Sequence, residues 1–241
     1  MRLIVIRHYK TLINASQQIM GWGDAPRAQD WEPDLFYVDE LLEKKKVVFD
    51  AVYTSFLERA RQTGMFFART RGIHCIHDHA ELNEVNYGTL FKKSKKWVEK
   101  HIPEYKKDPD FVFPQGESFR QMQQRSVAFI SSLAGKHPNK TLLVVAHAGV
   151  IRGLVSHFVG LPYVENLKRK ITHRYIGDFQ FEGPSCVRYD ELGKPSGFVN
   201  SGPVAVPCPC GPAREDPGNN AKGRAVPRIP EASAAKSHHP Y

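Results

Sequence analysis

Leu3-Ile4-Val5-Ile6-Arg7-His8, at the start of the chain, is the stretch that decides the fold. Four aliphatic residues, three of them β-branched, run directly into an arginine and a histidine. A short continuous apolar run of this kind predicts a strand that is buried on both faces. Because ligands of open α/β sheets bind at the carboxyl ends of the strands, Arg7 and His8 fall where a site is expected.

A second copy of this pattern lies far downstream, at Leu142-Leu143-Val144-Val145-Ala146-His147. Two buried strands that each end in a histidine would bring two imidazoles together at one edge of a sheet. We therefore expect His8 and His147 to be neighbours. The rest of the chain should supply the groups that surround them.

The remaining patterns alternate between strands and helices. Strands are predicted over residues 49–55, 74–77 and, at an edge, 185–189, and helices over 34–46, 57–70, 119–134 and 150–159. Residues 91–107 are strongly basic and are expected to be partly helical. Ser55 is predicted to cap the second helix, with Glu58 completing a capping box. The order β-α-β-α-β-α predicts an α/β fold, a three-layer α/β/α sandwich around a mixed, mostly parallel sheet.

Length and composition suit one sizeable core, since the chain has 241 residues and 41% hydrophobic content. We expect a domain over 1–200 and a disordered tail over 201–241, where Pro, Gly and Ala dominate without periodicity. The formal charge of +9 favours anionic partners without choosing among nucleic acid, acidic lipid and phosphorylated metabolites. Four cysteines make no disulfide framework, and no apolar run is long enough to cross a membrane. A cytoplasmic protein is therefore predicted.

Six polar residues, placed at or near the predicted strand ends, carry the candidate chemistry: Arg7, His8, Asn14, Arg59, Glu84 and His147. Arginines stay cationic and bind phosphate oxygens in fork geometry. One histidine could attack phosphorus while the other stabilises the charge on it. Glu84 is the candidate carboxyl that would protonate the leaving oxygen and later activate water. The set predicts phosphoryl transfer.

In their order along the chain, these residues resemble the histidine phosphatase superfamily, also called the phosphoglycerate mutase-like family. The motifs that carry the resemblance span about residues 1–190: Arg7-His8 with Thr11 and Asn14, Leu57-x-Arg59-Ala60-x-Gln62-Thr63, Glu84 with Gly88, Gly116-Glu117-Ser118, and His147-x-Gly149. The resemblance implies a phosphoglycerate mutase-like fold and no metal or cofactor. It implies the following roles: His8 as nucleophile, Glu84 as proton donor, His147 as a second catalytic histidine in the phosphate pocket, Arg7 and Arg59 as phosphate ligands, and Asn14 as an auxiliary phosphate contact.

Within that family, the chain is most similar to the α-ribazole phosphatase and broad-specificity phosphatase branch, through Glu81-Leu82-Asn83-Glu84 and Gly116-Glu117-Ser118-Phe119. The segment between Glu84 and Gly116 is short compared with the insertion of cofactor-dependent mutases, which favours a phosphatase. Two departures concern the entrance of the site. Tyr9 stands where the family has glycine and is expected to crowd the mouth, and Lys10 stands where relatives often have an acid.

The sequence therefore predicts an enzyme, a metal-independent phosphomonoesterase that works through a phosphohistidine on a small anionic phosphorylated substrate. One candidate substrate is α-ribazole 5'-phosphate. The alternatives are a phosphoglycerate mutase, a phosphoserine phosphatase and a catalytically silent phosphate-binding protein. The silent alternative is disfavoured because both the nucleophile and the acid are present. Neither nucleic acid nor a membrane is an expected partner, and a homodimer is left open.

Two clusters have a structural and a functional interpretation. The histidines of the third strand region, His74, His77 and His79, are predicted to be surface residues, since their spacing is irregular for a metal site. The lysine cluster Lys92, Lys93, Lys95 and Lys96 is expected to be a solvated face. Its functional alternative is a rim that attracts an anionic substrate.

Overall fold

The structure is a computed structural model that describes residues 1–193, so the predicted domain boundary at residue 200 and the predicted tail lie outside the described residues. The strands are β1 (Arg2–Arg7), β2 (Ala51–Thr54), β3 (Ile76–Asp78), β4 (Thr141–Ala146), β5 (Ile176–Glu182) and β6 (Ser185–Glu191). The helices are α1 (Leu12–Ala15), α2 (Glu32–Lys44), α3 (Glu58–Thr70), α4 (Lys95–His101), α5 (Phe119–Lys136), α6 (Ala148–Val159) and α7 (Tyr163–Lys168). Short 3-10 turns cover Ala80–Leu82 and Gly88–Leu90. The predicted α/β fold is confirmed.

The six strands form one mixed sheet in the order β3-β2-β4-β1-β5-β6. The first four in that order are mutually parallel, while β5 and β6 add antiparallel strands at one side. Strand β5 is absent from the sequence prediction because Gly177, Asp178 and Gln180 interrupt its apolar run. Its acidic residue is satisfied by an ion pair, in which Arg2 Nη2 lies 2.8 Å from Asp178 Oδ2.

The two faces of β1 belong to two hydrophobic clusters, which places helices on both sides of the sheet. Leu3 and Val5 pack in a cluster with residues of α5 and α6. Ile4 and Ile6 pack in the other cluster with residues of α2 and α3. This alternation along a strand buried on both faces is the physical basis of the three-layer sandwich.

The predicted capping box at Ser55 is wrong. Helix α3 begins after Leu57, whose side chain provides no cap. Ser55 Oγ lies instead 2.7 Å from His147 Nε2, and the Glu58 carboxylate accepts from Gln62 Nε2 within the helix. Because Ser55 sits at the end of a central strand, its hydroxyl serves the sheet edge rather than the helix.

Within residues 1–193, no helix is both long enough and apolar enough to span a membrane.

Candidate active site

The register of β1 against β4 brings the two strand-end histidines together. Arg7 pairs with Ala146, and the His8 N–H donates to the Ala146 carbonyl at 3.1 Å, so the next residue on each strand emerges at the same edge. The His8 and His147 rings lie 5.0 Å apart between centroids, tilted by 49°. Both are buried, His147 completely and His8 with 2% of its surface exposed.

Hydrogen bonds define the tautomer of His8. Its Nδ1 lies 2.6 Å from the Tyr9 carbonyl oxygen, which can only accept, so Nδ1 carries the proton. Its Nε2 accepts from Arg59 Nε at 3.3 Å. Burial, followed by the charge of Arg59, holds the pKa of His8 well below its usual range. The ring is therefore neutral, with a lone pair on Nε2.

The guanidinium of Arg59 is fixed by backbone carbonyls. Its Nη1 donates to Gly23 O at 2.9 Å and its Nη2 donates to Gly21 O at 2.7 Å, which leaves Nε directed at His8. Burial lowers the pKa of Arg59 to about 10, opposed by the charges of Glu84 and Asp24. The group thus remains cationic at neutral pH beside the imidazole.

Two buried donors beside His8 have no hydrogen-bond partner among the described residues: Nδ1 of His147 and Nε of Arg7. The Ser55 hydroxyl accepts from Leu57 N at 3.2 Å and so has its proton available for His147 Nε2. In that tautomer, Nδ1 of His147 is the protonated atom. Arg7 is held by Nη1, which donates to Ile171 O at 2.5 Å, and burial lowers its pKa to about 10. Each unpaired buried donor costs about 1–3 kcal/mol, which an anion accepting from it would relieve.

Glu84 lies at the same site and is held by backbone amides. Its Oε1 accepts from Val85 N at 3.0 Å, and the Gly149 N–H lies 3.1 and 3.2 Å from its two carboxylate oxygens. A Cβ at position 149 would stand 2.2 Å from Glu84 Oε1. The close approach explains why glycine is needed in the motif His147-x-Gly149. The carboxylate charge acts on both arginines, since it offsets part of the lowering of the pKa that burial causes at Arg7 and Arg59.

Arg125 supports the segment that carries Glu84, and the sequence interpretation missed it. It forms a two-pronged ion pair with Glu117, at 2.7 and 3.1 Å, and it donates to the carbonyls of Glu81 at 2.7 Å and Glu84 at 3.0 Å. Glu117 also accepts from Asn86 N at 2.9 Å. Glu117 belongs to a motif quoted from the sequence, whereas an arginine in the middle of an amphipathic helix carries no comparable signal.

His173 is a third histidine at the site and was also missed. It lies just before β5, its Nδ1 donates to the His8 carbonyl at 2.7 Å, and its ring centroid is 5.4 Å from that of His8. Burial lowers its pKa to about 3, with a smaller contribution from Arg7. It reaches His8 only because β5 pairs antiparallel with β1, a pairing that the sequence pattern did not predict.

Asn14 and Tyr9 are placed differently with respect to the cavity in front of His8. Asn14 lines that cavity, and its Oδ1 accepts from Thr11 N at 3.3 Å in a capping box of α1, which leaves its amide nitrogen for a ligand. The expectation that Tyr9 crowds the mouth is wrong. Its hydroxyl donates to Gln62 Oε1 at 2.9 Å, its ring packs edge-on against Trp31, and the residue does not line the cavity.

The cavity in front of His8 has a volume of about 740 Å³ and is strongly basic. Three acidic residues line it, Asp34, Glu84 and Glu99, against ten lysines and arginines. The ten are Arg7, Lys10, Arg59, Lys95, Lys96, Lys106, Arg152, Lys168, Lys170 and Arg174. Of the lysine cluster that was expected to be a solvated face, Lys95 and Lys96 line the cavity, whereas Lys92 and Lys93 are exposed and do not.

Of the three histidines predicted to be surface residues, His74 and His77 are exposed and His79 is half-buried. His77 stacks on Tyr53 with 4.9 Å between centroids, and His79 lies 4.3 Å from Phe129. Within residues 1–193, no group of three or more His, Cys, Asp or Glu side chains is arranged to hold a metal ion.

Comparison with known proteins shows which family the chain belongs to. The model of the histidine phosphatase superfamily (branch 1) matches residues 3–191. A 2,3-bisphosphoglycerate-dependent phosphoglycerate mutase of Bartonella tribocorum is 26% identical over 178 residues, which cover 70% of this chain and 86% of the relative. A probable phosphoglycerate mutase GpmB of Klebsiella pneumoniae is 29% identical over 175 residues, which cover 70% of this chain and 80% of that protein.

Solved structures share the fold. YhfR of Bacillus stearothermophilus superposes with a TM-score of 0.68 at 25% identity, covering 77% of this chain and 93% of YhfR. A putative α-ribazole-5'-P phosphatase from Escherichia coli superposes with a TM-score of 0.69 at 24% identity, covering 80% and 95% of the two chains. Because this identity is below 25%, the similarity to the Escherichia coli structure shows a shared fold only.

Proposed function

The chain belongs to the histidine phosphatase superfamily, and from that premise we propose that this enzyme is a metal-independent phosphomonoesterase that works through a phosphohistidine at His8. The substrate class is a small phosphorylated metabolite. Arg7, Arg59 and His147 serve as ligands of the phosphoryl group, Asn14 as an auxiliary contact, and Glu84 as the acid and base.

The observation that carries the proposal is an unprotonated imidazole nitrogen in a site that also holds unpaired buried donors. His8 Nε2 holds no proton, because Nδ1 holds it, and a buried cation lies 3.3 Å away. Arg7 Nε and His147 Nδ1 are buried and have no hydrogen-bond partner within residues 1–193. A nucleophile in a site with two unsatisfied donors and a buried cation suits a phosphoryl group, since phosphoryl transfer needs positioning and charge neutralisation above all.

In the first step, the lone pair of His8 Nε2 attacks phosphorus in line with the ester oxygen. The P–N bond forms as the P–O bond to the leaving alcohol breaks. The leaving oxygen takes its proton from the Glu84 carboxyl group. The arginines and His147 neutralise the charge on the other three phosphoryl oxygens, as a metal does in metallophosphatases.

In the second step, the Glu84 carboxylate takes a proton from a water molecule that attacks phosphorus. The P–N bond breaks, inorganic phosphate leaves, and His8 regains its lone pair. The backbone amides of Val85 and Gly149 hold the carboxylate in place for both steps, so that one group can act first as acid and then as base.

A second candidate is phosphoglycerate mutase activity, favoured by the names of the relatives from Bartonella tribocorum and Klebsiella pneumoniae. A mutase returns the phosphoryl group of His8 to a second hydroxyl instead of to water. The short segment between Glu84 and Gly116 favours the hydrolase. A substrate panel for either activity includes α-ribazole 5'-phosphate, phosphoserine and the phosphoglycerates.

The test is trapping of the phosphoenzyme. Wild-type protein quenched during turnover of ³²P-labelled ester should carry label that is labile in acid and stable in alkali, as expected of phosphohistidine. His8→Asn should carry none and should lose at least about 10⁴-fold in kcat/KM, the scale on which loss of a nucleophile acts. The matched control is His74→Asn, which changes an exposed histidine and should keep both label and rate.

Either of two results would contradict the proposal. One is turnover by His8→Asn close to that of the wild type. The other is complete loss of wild-type activity in EDTA with recovery on adding a divalent cation, which would assign the enzyme to the metallophosphatases. Release of inorganic phosphate separates the hydrolase from the mutase, which would convert one phosphoglycerate into the other.

A further inference from the structure

The Nδ1 side of His8 rests on Tyr9, the residue at which this chain departs from the glycine of the family pattern. The Tyr9 carbonyl oxygen accepts from His8 Nδ1 at 2.6 Å. A glycine carbonyl could accept the same proton, so the acceptor alone does not require a tyrosine. The tyrosine is nevertheless buried, with 5% of its surface exposed, and it does not line the cavity. Its side chain therefore acts on the protein rather than directly on a substrate.

Helix α3 holds Tyr9 at two points. Thr63 Oγ1 accepts from the Tyr9 backbone N–H at 3.1 Å, and Gln62 Oε1 accepts from the Tyr9 hydroxyl at 2.9 Å. The Thr63 hydroxyl is itself oriented, since it donates to the Arg59 carbonyl at 2.7 Å. Arg59 belongs to the same helix and donates to His8 Nε2 at 3.3 Å. One helix therefore fixes both ring nitrogens of His8, Nε2 directly and Nδ1 by way of Tyr9.

The Tyr9 ring is enclosed by two further side chains. Trp31 lies edge-on to it, with 5.7 Å between the ring centroids. The guanidinium of Arg27 lies 5.1 Å from the centroid of the Tyr9 ring and 4.5 Å from that of Trp31. Arg27 Nη2 also donates at 2.8 Å to Gln62 Oε1, the atom that accepts from the Tyr9 hydroxyl. We call Gln62, Trp31 and Arg27 the Tyr9 anchor.

The contact between His8 and the Tyr9 carbonyl gains importance when the nucleophile acts. To attack phosphorus, Nε2 must direct its lone pair at the substrate instead of at Arg59, so the Nδ1 hydrogen bond alone then maintains the tautomer. As the P–N bond forms, the electron pair of Nε2 passes to phosphorus and the ring becomes positively charged. The bond from Nδ1 to the Tyr9 carbonyl is then charge-assisted and stronger. A carbonyl held in place thus stabilises the transition state more than the free enzyme.

We infer that Tyr9 is a positioning residue of the nucleophile, whose anchored side chain holds its own carbonyl against Nδ1 of His8. The kinetic consequence rests on the proposed function, whereas the contact itself can be measured without turnover. A glycine at this position would have more backbone freedom and no anchor, so it would hold the carbonyl less firmly. A tyrosine that only filled space between Trp31 and α3 would contribute to stability and leave the chemistry unchanged.

The first test reads the hydrogen bond in the free protein by proton NMR. The Nδ1 proton of His8, identified by its disappearance in His8→Asn, should resonate far downfield in the wild type because the bond is short. In Tyr9→Ala the resonance should move upfield, and the proton should exchange with solvent roughly 5- to 10-fold faster, the scale of one hydrogen bond. Tyr9→Phe keeps the buried ring and should show a smaller change in the same direction. An unchanged resonance and exchange rate in both variants would overturn the inference.

The second test is the single-turnover rate of phosphoenzyme formation from an alkyl phosphate. Tyr9→Ala should slow this step by roughly 10- to 100-fold, the scale of displacements of about 1 Å. Tyr9→Phe keeps the contacts with Trp31 and Arg27, so it should recover most of the rate and lose about 5-fold, the scale of one neutral hydrogen bond. The binding of inorganic phosphate, measured by calorimetry, should change little in either variant, because Tyr9 does not line the cavity.

The matched control is Tyr163→Phe. The Tyr163 hydroxyl donates to the Phe119 carbonyl at 2.7 Å and its ring lies 5.3 Å from the guanidinium of Arg120, but the residue does not line the cavity. This variant should keep the wild-type rate and the Nδ1 resonance. Equal losses in Tyr163→Phe and Tyr9→Phe, or parallel losses of rate and phosphate binding in Tyr9→Ala, would overturn the inference. Absence of a phosphoenzyme in the wild type would overturn the proposed function instead, and the NMR test would still decide the role of Tyr9.

Discussion

The inner site, made of His8, Arg59 and His147, and the basic wall, made of Lys95, Lys106 and Arg152, are built in different ways. The basic wall lines the cavity together with His8 and Arg59, whereas the completely buried His147 does not line it. His8, Arg59 and His147 are buried where the sheet meets α3 and α6, and nearly every polar atom they carry has an assigned partner. The basic wall stands on α4, on the connection after it and on α6, and its lysines are only partly buried.

This difference in construction suggests that the inner site carries out the reaction and the basic wall selects the substrate. Strand ends hold side chains rigidly, as in-line attack on phosphorus requires. Short helices and connections tolerate substitution and insertion, so they are suited to adapting a binding surface. We therefore expect changes at the inner site to act on chemistry, and changes at the basic wall to act on selection among phosphate esters.

The largest effect is expected from Glu84→Gln, which tests the role of the inner site in the chemistry. Glutamine keeps the size and hydrogen bonding of the side chain but cannot donate a proton as a carboxyl group does. Phosphoenzyme formation from an alkyl phosphate should slow by about 10²–10⁴-fold, the range of acid–base assistance. Phosphoenzyme formation from p-nitrophenyl phosphate should slow much less, because p-nitrophenolate is a stable anion that leaves without a proton. Single-turnover rapid-quench measurements are needed, since hydrolysis of the phosphoenzyme also uses Glu84.

Equal losses on the two esters in that first step would show that Glu84 serves binding or structure only. The acid would then have to be another group of the cavity.

Gly149→Ala disturbs the inner site without removing any of its functional groups. The new Cβ would meet Glu84 Oε1 at 2.2 Å, so the carboxylate must move. Displacements of about 1 Å cost up to about 10²-fold, and we expect a loss of roughly 10- to 100-fold in kcat/KM for an alkyl ester. The matched control is Gly153→Ala, one turn later on α6, where a Cβ would meet Gln123 at an ordinary 3.4 Å.

If the effect of Gly149→Ala passes through the carboxylate, combining it with Glu84→Gln should add little further loss. Full additivity in this double-mutant cycle would instead place the damage elsewhere on α6.

The smallest expected effect concerns His173, which contacts the inner site from β5. The pKa of this histidine is about 3 in the folded protein and about 6.5 in an unfolded chain. Below about pH 6.5 the unfolded chain therefore binds a proton that the folded protein does not. The stability present above that pH is lost as the pH falls toward 3, by on the order of 1 kcal/mol for each unit.

His173→Asn should remove this loss while keeping an N–H that can reach the His8 carbonyl. The unfolding free energies of variant and wild type are measured in urea at about pH 8 and about pH 5. Any advantage of the wild type at about pH 8 should shrink or reverse at about pH 5. A constant difference between the two proteins at both pH values would contradict a titrating role for His173.

Much of the inner site could be predicted because its residues follow directly on buried strands. The apolar runs before His8 and His147 predicted the strands, and parallel pairing then required the two histidines to meet. Gly160, in the left-handed conformation with φ of 76°, ends α6 where the sequence predicted a stop. The roles of the six predicted site residues remain predictions, supported by the places the structure gives them.

Other features depended on contacts between residues far apart in the chain, which local patterns do not encode. The sequence around Ser55 is equally typical of a helix cap. Only the pairing of β2 with β4, which His147 directly follows, shows that the Ser55 hydroxyl contacts His147. Arg125 and His173 reach the site across 41 and 165 positions of sequence to contact the Glu84 and His8 carbonyls.

The sequence by itself determined the strands other than β5, the sheet class and the residues at the strand ends, because burial imposes a period and a composition on a local run. The tertiary structure alone decided the tautomer of His8, the unpaired donors beside it and the separation of the lysine cluster into cavity-lining and outward-facing residues. These depend on which residues from distant parts of the chain meet, because hydrogen bonds act at about 3 Å and desolvation depends on the packing around a group.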